Sequence, residues 1–424
     1  MNPKRNVLIQ PSNEFDRRQE RSGSSLTFWL FLLGAVAGLV SAHGVIPFGK
    51  GFEMCELAKN LAEHGSYANP FGVLPTGPTA ANPPLYPVIL ALYIKVLRNQ
   101  SLVFLAAVVG NLIANACTAA LLPRVSQVFF RDARPGITAS ILWVASVQLM
   151  PAWDVSFTVV LLLLFILVTA GMGGGQPSWK AALRGGMIGG ALFLLNPSTT
   201  LIVVPWLAYL QIASSNRRRL FGGIALLLVI VSLFALGWAV RNRLALGSFV
   251  VRTNLGSALY TSNNDCARPS LVESAQSGCY QTYNPNSSLN EAQLLRAMGE
   301  PAYDRMRTED TKAWIRSHPS AFLQLTLARV REFWFPLLEQ HPFNSVVLWT
   351  GTVLSIPGMI LAMRRHARPT LYLLTIFALY PLMYYAVVSD VRYRYPVLWA
   401  SMLLAGFALR QLVPRKWQPR QSNT

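Results

Sequence analysis

The chain has 424 residues, 52% of them hydrophobic and 13% charged, with a formal net charge of +19. Several apolar runs approach the ~20 residues that carry a helix across a bilayer, which excludes an ordinary soluble domain and indicates a polytopic, all-α membrane protein. A basic balance of this size suits a nucleic-acid binder, but the distribution argues against one. The clusters RRR (217–219), RRHAR (364–368) and PRKWQPR (414–420) fall in short connections between apolar runs, the pattern of cytoplasmic loops facing anionic lipid.

In chain order, residues 1–26 are polar and too long to precede a secretory signal core, so they read as a cytoplasmic tail before an uncleaved first span, 27–47. The first outer loop covers 48–84 and opens with GFEMCELAKNLAEHG, where Phe52, Met54, Leu57, Ala58 and Leu61 make one face of an amphipathic helix and Gly65 stops it. The run 85–97 is short for a span and reads as a juxtamembrane or re-entrant helix. Crossings follow at 101–122, 137–153, 155–171, 198–212 and 220–240, completing an N-terminal transmembrane region of 27–240. Residues 241–341 form a small outer loop domain that closes on helical patterns. Spans 343–363, 369–389 and 395–412 make the C-terminal transmembrane region 342–412, before a cytoplasmic tail of 413–424. The expectation is about ten spans with both ends inside.

On this topology five acids outside the loop domain lie near the outer surface: Glu53, Glu56, Glu63, Asp154 and Asp390. Four arginines, Arg241, Arg243, Arg392 and Arg394, sit at outer span ends, where basic residues are ordinarily scarce. A phosphate at the membrane surface gives them a reason, because a guanidinium fork binds phosphate oxygens bidentately. Plainer readings stand beside these. Glu53 and Glu56 suit the polar face of a surface helix, Asp154 a helix cap, Arg241 and Arg243 contacts to headgroups, and Asp390 an ion pair with Arg392 or Arg394. Tyr393 and Tyr395 suit an interfacial aromatic belt. Cys266 and Cys279 share the loop domain, where a disulfide or two free thiols are both open. No cysteine pair has metal-ligand spacing, and His64, His318 and His341 are scattered, so a divalent ion would rest on carboxylates alone. There is no phosphate loop of the kind that drives an ATP-powered pump.

A series of motifs carries a resemblance. An acid follows the first span, then come TGPTAANPPLYP (76–87), NPS (196–198), WAVRN (238–242), SFVVRTNLGSALYTSNN (248–264), GEPAYDRM (299–306), HPSAFLQLTLARVREFW (318–334) and DVRYRYP (390–396). In this order and placement the chain resembles bacterial family-39-type glycosyltransferases, related to protein O-mannosyltransferases and lipid A aminoarabinose transferases. The resemblance implies a GT-C fold in a bacterial inner membrane. It implies transfer of a sugar from a polyprenyl-phosphate carrier to an acceptor (protein, lipid or glycan) at the outer face. It also implies an acid in the first outer loop that deprotonates the acceptor. Glu53 is the matching position; relatives often carry an Asp–Glu pair that is absent here, which leaves Glu56, one turn on, as second candidate, with Asp154 third. Arg241, Arg243, Arg392 and Arg394, with Asp390, are the expected donor-phosphate contacts. The alternative is a transporter or flippase of lipid-linked sugars, against which the near absence of ionisable residues mid-span counts.

Overall fold

A computed structural model of the protein describes residues 13–42, 52–146, 149–173, 179–337 and 342–412; residues 1–12 of the expected tail 1–26, the end of the expected first span (43–47), the start of the expected outer loop (48–51), His341 and the expected tail 413–424 lie outside these. The first half holds α1 (Asn13–Ala42), α2 (Glu53–His64), α3 (Leu85–Leu97), α4 (Gln100–Phe130), α5 (Arg134–Ser146), α6 (Val155–Gly173), α7 (Trp179–Leu195), α8 (Thr200–Ala213) and α9 (Arg217–Leu246). The loop domain contributes α10 (Leu255–Ser262), α11 (Leu271–Gln276), α12 (Cys279–Tyr283), α13 (Leu289–Met298), α14 (Glu300–Ser317) and α15 (Pro319–Trp334). The chain returns through α16 (Pro342–Arg365), α17 (Ala367–Leu379), α18 (Leu382–Tyr385) and α19 (Tyr395–Leu412). Among the described residues there is no strand, only two isolated bridges.

Among the described residues five helices are long and apolar enough to cross a bilayer: the Ser25–Ala42 part of α1, then α4, α6, α9 and the Phe343–Arg365 part of α16. The other expected crossings are shorter or are packed inside the protein. Helix α19 is buried along most of its length against α16 and α5. A Cβ at Gly406 would meet the Pro135 carbonyl of α5, and one at Gly358 of α16 would meet the Leu404 carbonyl of α19. Helix α7 uses Gly185, Gly186, Gly189 and Gly190 to take Leu227, Ile230, Val231 and Phe234 of α9 against its backbone. Lipid is as apolar as leucine, so close backbone approach, not water exclusion, holds such helices together.

Three boundaries differ from expectation. Within the expected span 137–153, α5 covers Arg134–Ser146 and a turn at Met150–Trp153 precedes α6. Helix α9 continues to Leu246 and stops at Gly247 in the left-handed conformation (φ 70°), so Arg241 and Arg243 belong to its last turns and the loop domain begins beyond them. The expected span 369–389 breaks after Leu379, where Pro381 starts the short α18; a proline cannot continue the preceding helix's hydrogen-bond ladder. The chain then leaves helical form and Ser389 bridges Ser270 of the loop domain, with Leu271 N–H donating to Ser389 O (2.9 Å) and Ser389 N–H to Pro269 O (2.8 Å).

Buried polar groups hold the loop domain in place. The Arg307 guanidinium grips Glu291, Oε1 at 2.5 Å, and Tyr303 Oη donates to Glu291 Oε2 at 2.6 Å. Arg329, fully buried, donates to Asn263 Oδ1 (3.0 Å), Ala386 O (3.2 Å) and Ser262 O, joining α15, α10 and the segment after α18. Asp304 Oδ1 accepts from Gly256 N–H at 2.7 Å, and a Cβ at Gly256 would collide with the Asp304 carbonyl. Cys266 and Cys279 are joined as a disulfide, Cα–Cα 5.8 Å.

Candidate active site

The site lies where the first loop, the turn before α6 and the segment 389–396 meet. Helix α2 forms because Met54, Leu57 and Ala58 bury one face, and Gly65 (φ 69°) ends it in a conformation that glycine adopts without steric cost. This puts Glu53 in the first turn, partly buried, where the helix dipole favours an anion. Its Oε2 accepts from Asn82 Nδ2 at 2.9 Å.

Asn82 belongs to TGPTAANPP, a non-helical stretch whose backbone groups need partners. Arg241 Nη1 donates to Thr79 O (2.6 Å) and its Nη2 to Tyr67 O (2.7 Å). Arg252 Nε donates to Ala81 O (2.8 Å). Glu300 Oε1 accepts from Thr79 Oγ1 (2.6 Å) and Oε2 from Ala80 N–H (2.7 Å). Burial pushes the Glu300 carboxyl up to about 7 against the pull of these donors. Two arginines and a glutamate thus fix the loop that presents Asn82 to Glu53.

Opposite stands Arg392. Asp390 caps the turn Val391–Arg394 by accepting from Arg392 N–H (3.0 Å). The Arg392 guanidinium lies over the Trp153 ring, 3.6 Å from its centroid, and Phe52, beside Glu53, meets the same indole edge to face at 6.4 Å. Nε sits 3.2 Å from Asp390 Oδ2, as an ion pair without hydrogen-bond geometry, and Nη2 has one long bond of 3.5 Å to Tyr393 Oη. The partly buried guanidinium therefore spends few of its donors on protein groups. Burial works against its charge, but Asp390, Tyr393 and Glu53 outweigh burial and raise its pKa above the ordinary arginine value.

Asp154 stands at the N-cap position of α6 and accepts from Thr158 Oγ1 at 2.8 Å. Burial raises its pKa, opposed by that bond and by the fields of Arg252 and Arg392. Tyr280, buried on α12, feels the fields of both Glu53 and Arg392. Tyr393 stacks on Tyr384 (4.5 Å), whose hydroxyl pairs with Ser198 of the NPS motif at 3.0 Å.

The sequence-level candidates thus separate. Glu53, Asp154, Asp390 and Arg392 converge. Glu56 is partly buried one turn further along α2. Arg241 spends its guanidinium on loop carbonyls, with Tyr67 and Trp238 rings at 5.2 and 5.1 Å. Arg243 is exposed and donates to Gly247 O at the end of its own helix. Arg394, 1% exposed, donates to Trp334 O (2.8 Å), Leu348 O (3.3 Å) and Thr352 Oγ1, and burial lowers its pKa to about 9. These three were expected at the phosphate; their donors instead satisfy carbonyls that helix ends and loops leave open. Arg252, Asn82, Trp153 and Tyr280 were not singled out from sequence. Arg252 and Asn82 lie inside quoted motifs, but nothing in residue order shows that these two segments touch.

No known family model matches the chain, and no curated protein matches it. Solved structures do. The archaeal oligosaccharyltransferase AglB from Archaeoglobus fulgidus, in complex with an inhibitory peptide and a dolichol-phosphate, superposes with TM-score 0.51 at 13% identity over 91% of this chain. A structure of the A. fulgidus oligosaccharyltransferase with Zn and sulfate gives 0.52 at 14% over 89%. Its apo form gives 0.52 at 13% over 91%.

The chain shares the fold of these structures, an all-α, GT-C-like membrane bundle.

It spans about half the length of these oligosaccharyltransferases, 49–50%. One of them carries Zn. Among the described residues no three His, Cys, Asp or Glu side chains gather, Asp390 is paired with Arg392, and Asp154 is held by Thr158.

Proposed function

We propose that this protein is an integral membrane glycosyltransferase that moves a sugar from a polyprenyl-phosphate carrier to an acceptor hydroxyl at the outer membrane face. The observation that carries the reading is Arg392: a partly buried guanidinium with donors that no protein group uses, in the field of the Glu53 carboxylate, inside a GT-C-like fold. A partly buried charge that keeps donors open is costly unless a ligand uses them, and a phosphate does.

The chemistry follows. The acceptor oxygen attacks the anomeric carbon while its proton passes to Glu53, which Asn82 orients. The bond from the anomeric carbon to the phosphate oxygen breaks, and its electron pair leaves with the phosphate. Arg392 meets that growing charge with donors already in place, and Arg252, anchored by Nε on Ala81 O, is the second cation within reach. Asp390 and the Trp153 ring set the orientation of Arg392. Asp154 is the reserve acid, held close to both arginines.

The test is the purified protein in detergent, supplied with polyprenyl-phosphate sugars and candidate acceptors. Release of free polyprenyl phosphate with sugar on the acceptor, without a membrane gradient, is the expected result. Translocation of intact donor in vesicles with no cleavage would replace the enzyme by a flippase.

A further inference from the structure

The loop domain has a second concavity that the proposed chemistry does not use. A groove of about 310 Å³ opens between the Asn264–Ala267 turn and helices α14 and α15, lined by Asp265, Trp314, Gln324, Leu325 and Ala328 among others. Its size is at the lower end for small-ligand sites. Trp314 is rigidly mounted there. Its Nε1–H donates to Asp265 Oδ1 at 2.7 Å, and one face is backed by the His318 ring, 5.2 Å away and nearly parallel at 23°. The turn is itself braced, because Asn264 Oδ1 accepts from Cys266 N–H (3.1 Å) and its amide donates to Tyr260 O (2.9 Å), beside the Cys266–Cys279 disulfide. Gln324 is exposed on α15, and among the described residues its amide has no hydrogen-bond partner.

We propose that this groove binds a neutral saccharide, the glycan portion of an acceptor or of a growing chain. Three features choose that class. An indole fixed at its edge and backed on one face offers the other face to the C–H side of a pyranose, whose positive hydrogens meet the negative π cloud. The free Gln324 amide and the second Asp265 oxygen supply both donor and acceptor for hydroxyl groups. No lysine or arginine lines the groove, so an anionic ligand such as a phosphate or an acidic polymer finds no counter-charge. The mounting restricts the indole before binding, which lowers the ordering cost. Naming the saccharide as acceptor rests on the glycosyltransferase reading; the binding itself does not.

The test uses the whole purified chain in a detergent without a sugar headgroup, titrated calorimetrically with maltotriose, mannotriose and chitotriose. At least one trisaccharide binds in the millimolar range or tighter, with affinity reduced tenfold or more by Trp314→Ala and several-fold by Gln324→Ala, a change at an exposed position that leaves folding intact. Trp314→Phe retains binding within a few-fold, and Glu53→Gln leaves it unchanged. Absence of binding by all three, or binding indifferent to both Trp314→Ala and Gln324→Ala, overturns the proposal. Binding without any transferase activity would leave it standing while the proposed function falls.

Discussion

At the scale of single residues, the contrast among the arginines is the most informative feature. Arg329 and Arg394 donate to backbone carbonyls and side-chain oxygens around them and so act as cross-links. Arg392 is only partly buried, its side chain 14% exposed, and spends little of its hydrogen-bonding capacity on protein groups. Arg392→Ala is expected to abolish transfer while the protein still purifies folded. Arg392→Lys keeps the charge but loses the fork, and should lower kcat/KM about tenfold or more, in line with the loss of one charge-assisted hydrogen bond. Glu53→Gln preserves shape and can still bond Asn82, but cannot take a proton. Transfer should fall about 10²–10⁴-fold, the usual worth of a general base, whereas Glu56→Gln should stay within a few-fold of wild type. Full activity in Glu53→Gln would remove the base assignment.

At the scale of elements, α14 and α15 do most to assemble the site although neither supplies a proposed reacting group. Glu300, in the first turn of α14, holds Thr79 and Ala80, and through that loop sets Asn82. Its carboxyl titrates at about 7 in the folded chain instead of the ordinary 4.5, because of burial, with Asp304 adding to the rise. A native group that holds its proton more tightly than the unfolded chain contributes stability fully below about 4.5, and this is lost as pH rises through about 7. Melting temperature in detergent should therefore fall from pH 5 to pH 8 more steeply for wild type than for Glu300→Gln; parallel curves would contradict the assignment. The disulfide acts on the same scale. It closes a 13-residue separation at the start of α12, from which Tyr280 reaches the fields of Glu53 and Arg392. Replacing Cys266 and Cys279 together by serine should cost about 2–4 kcal/mol of loop-domain stability. Faster hydrogen exchange over 266–283, with α16 and α19 unaffected, is the check.

At the scale of the molecule, the GT-C-like fold places a loop domain over one end of a helical bundle and ties the two by backbone pairing at Ser270 and Ser389 and by Arg329 on Ala386. The proposed site lies close to that junction. The expected orientation, with the site outside, rests on the positive-inside reading of the basic clusters at 217–219 and 364–368. Labelling with a membrane-impermeant thiol reagent at a cysteine placed at position 390 should succeed from outside. Protection there, with labelling from the cytoplasm, would invert the topology and remove the site from the outer face.

What the sequence determined by itself was the class of molecule, and it named the segments on which the proposed site rests. Hydrophobic run length is a local property, and so is the bias of arginine to one side of a membrane, which is why the multi-pass architecture and the short helix from Glu53 to Gly65 were legible. Motif order, through the resemblance, pointed to Glu53 and to SDVRYRYP. Only the tertiary structure decided which arginines are uncommitted. Arg241, Arg392 and Arg394 look alike in sequence, each at a span end, but the acceptors that spend two of them come from residues more than 40 positions away. Hydrogen-bond saturation is a sum over neighbours in space. The sequence states that the guanidinium is present; the packing of α15, α16 and the first loop states whether its donors are already used.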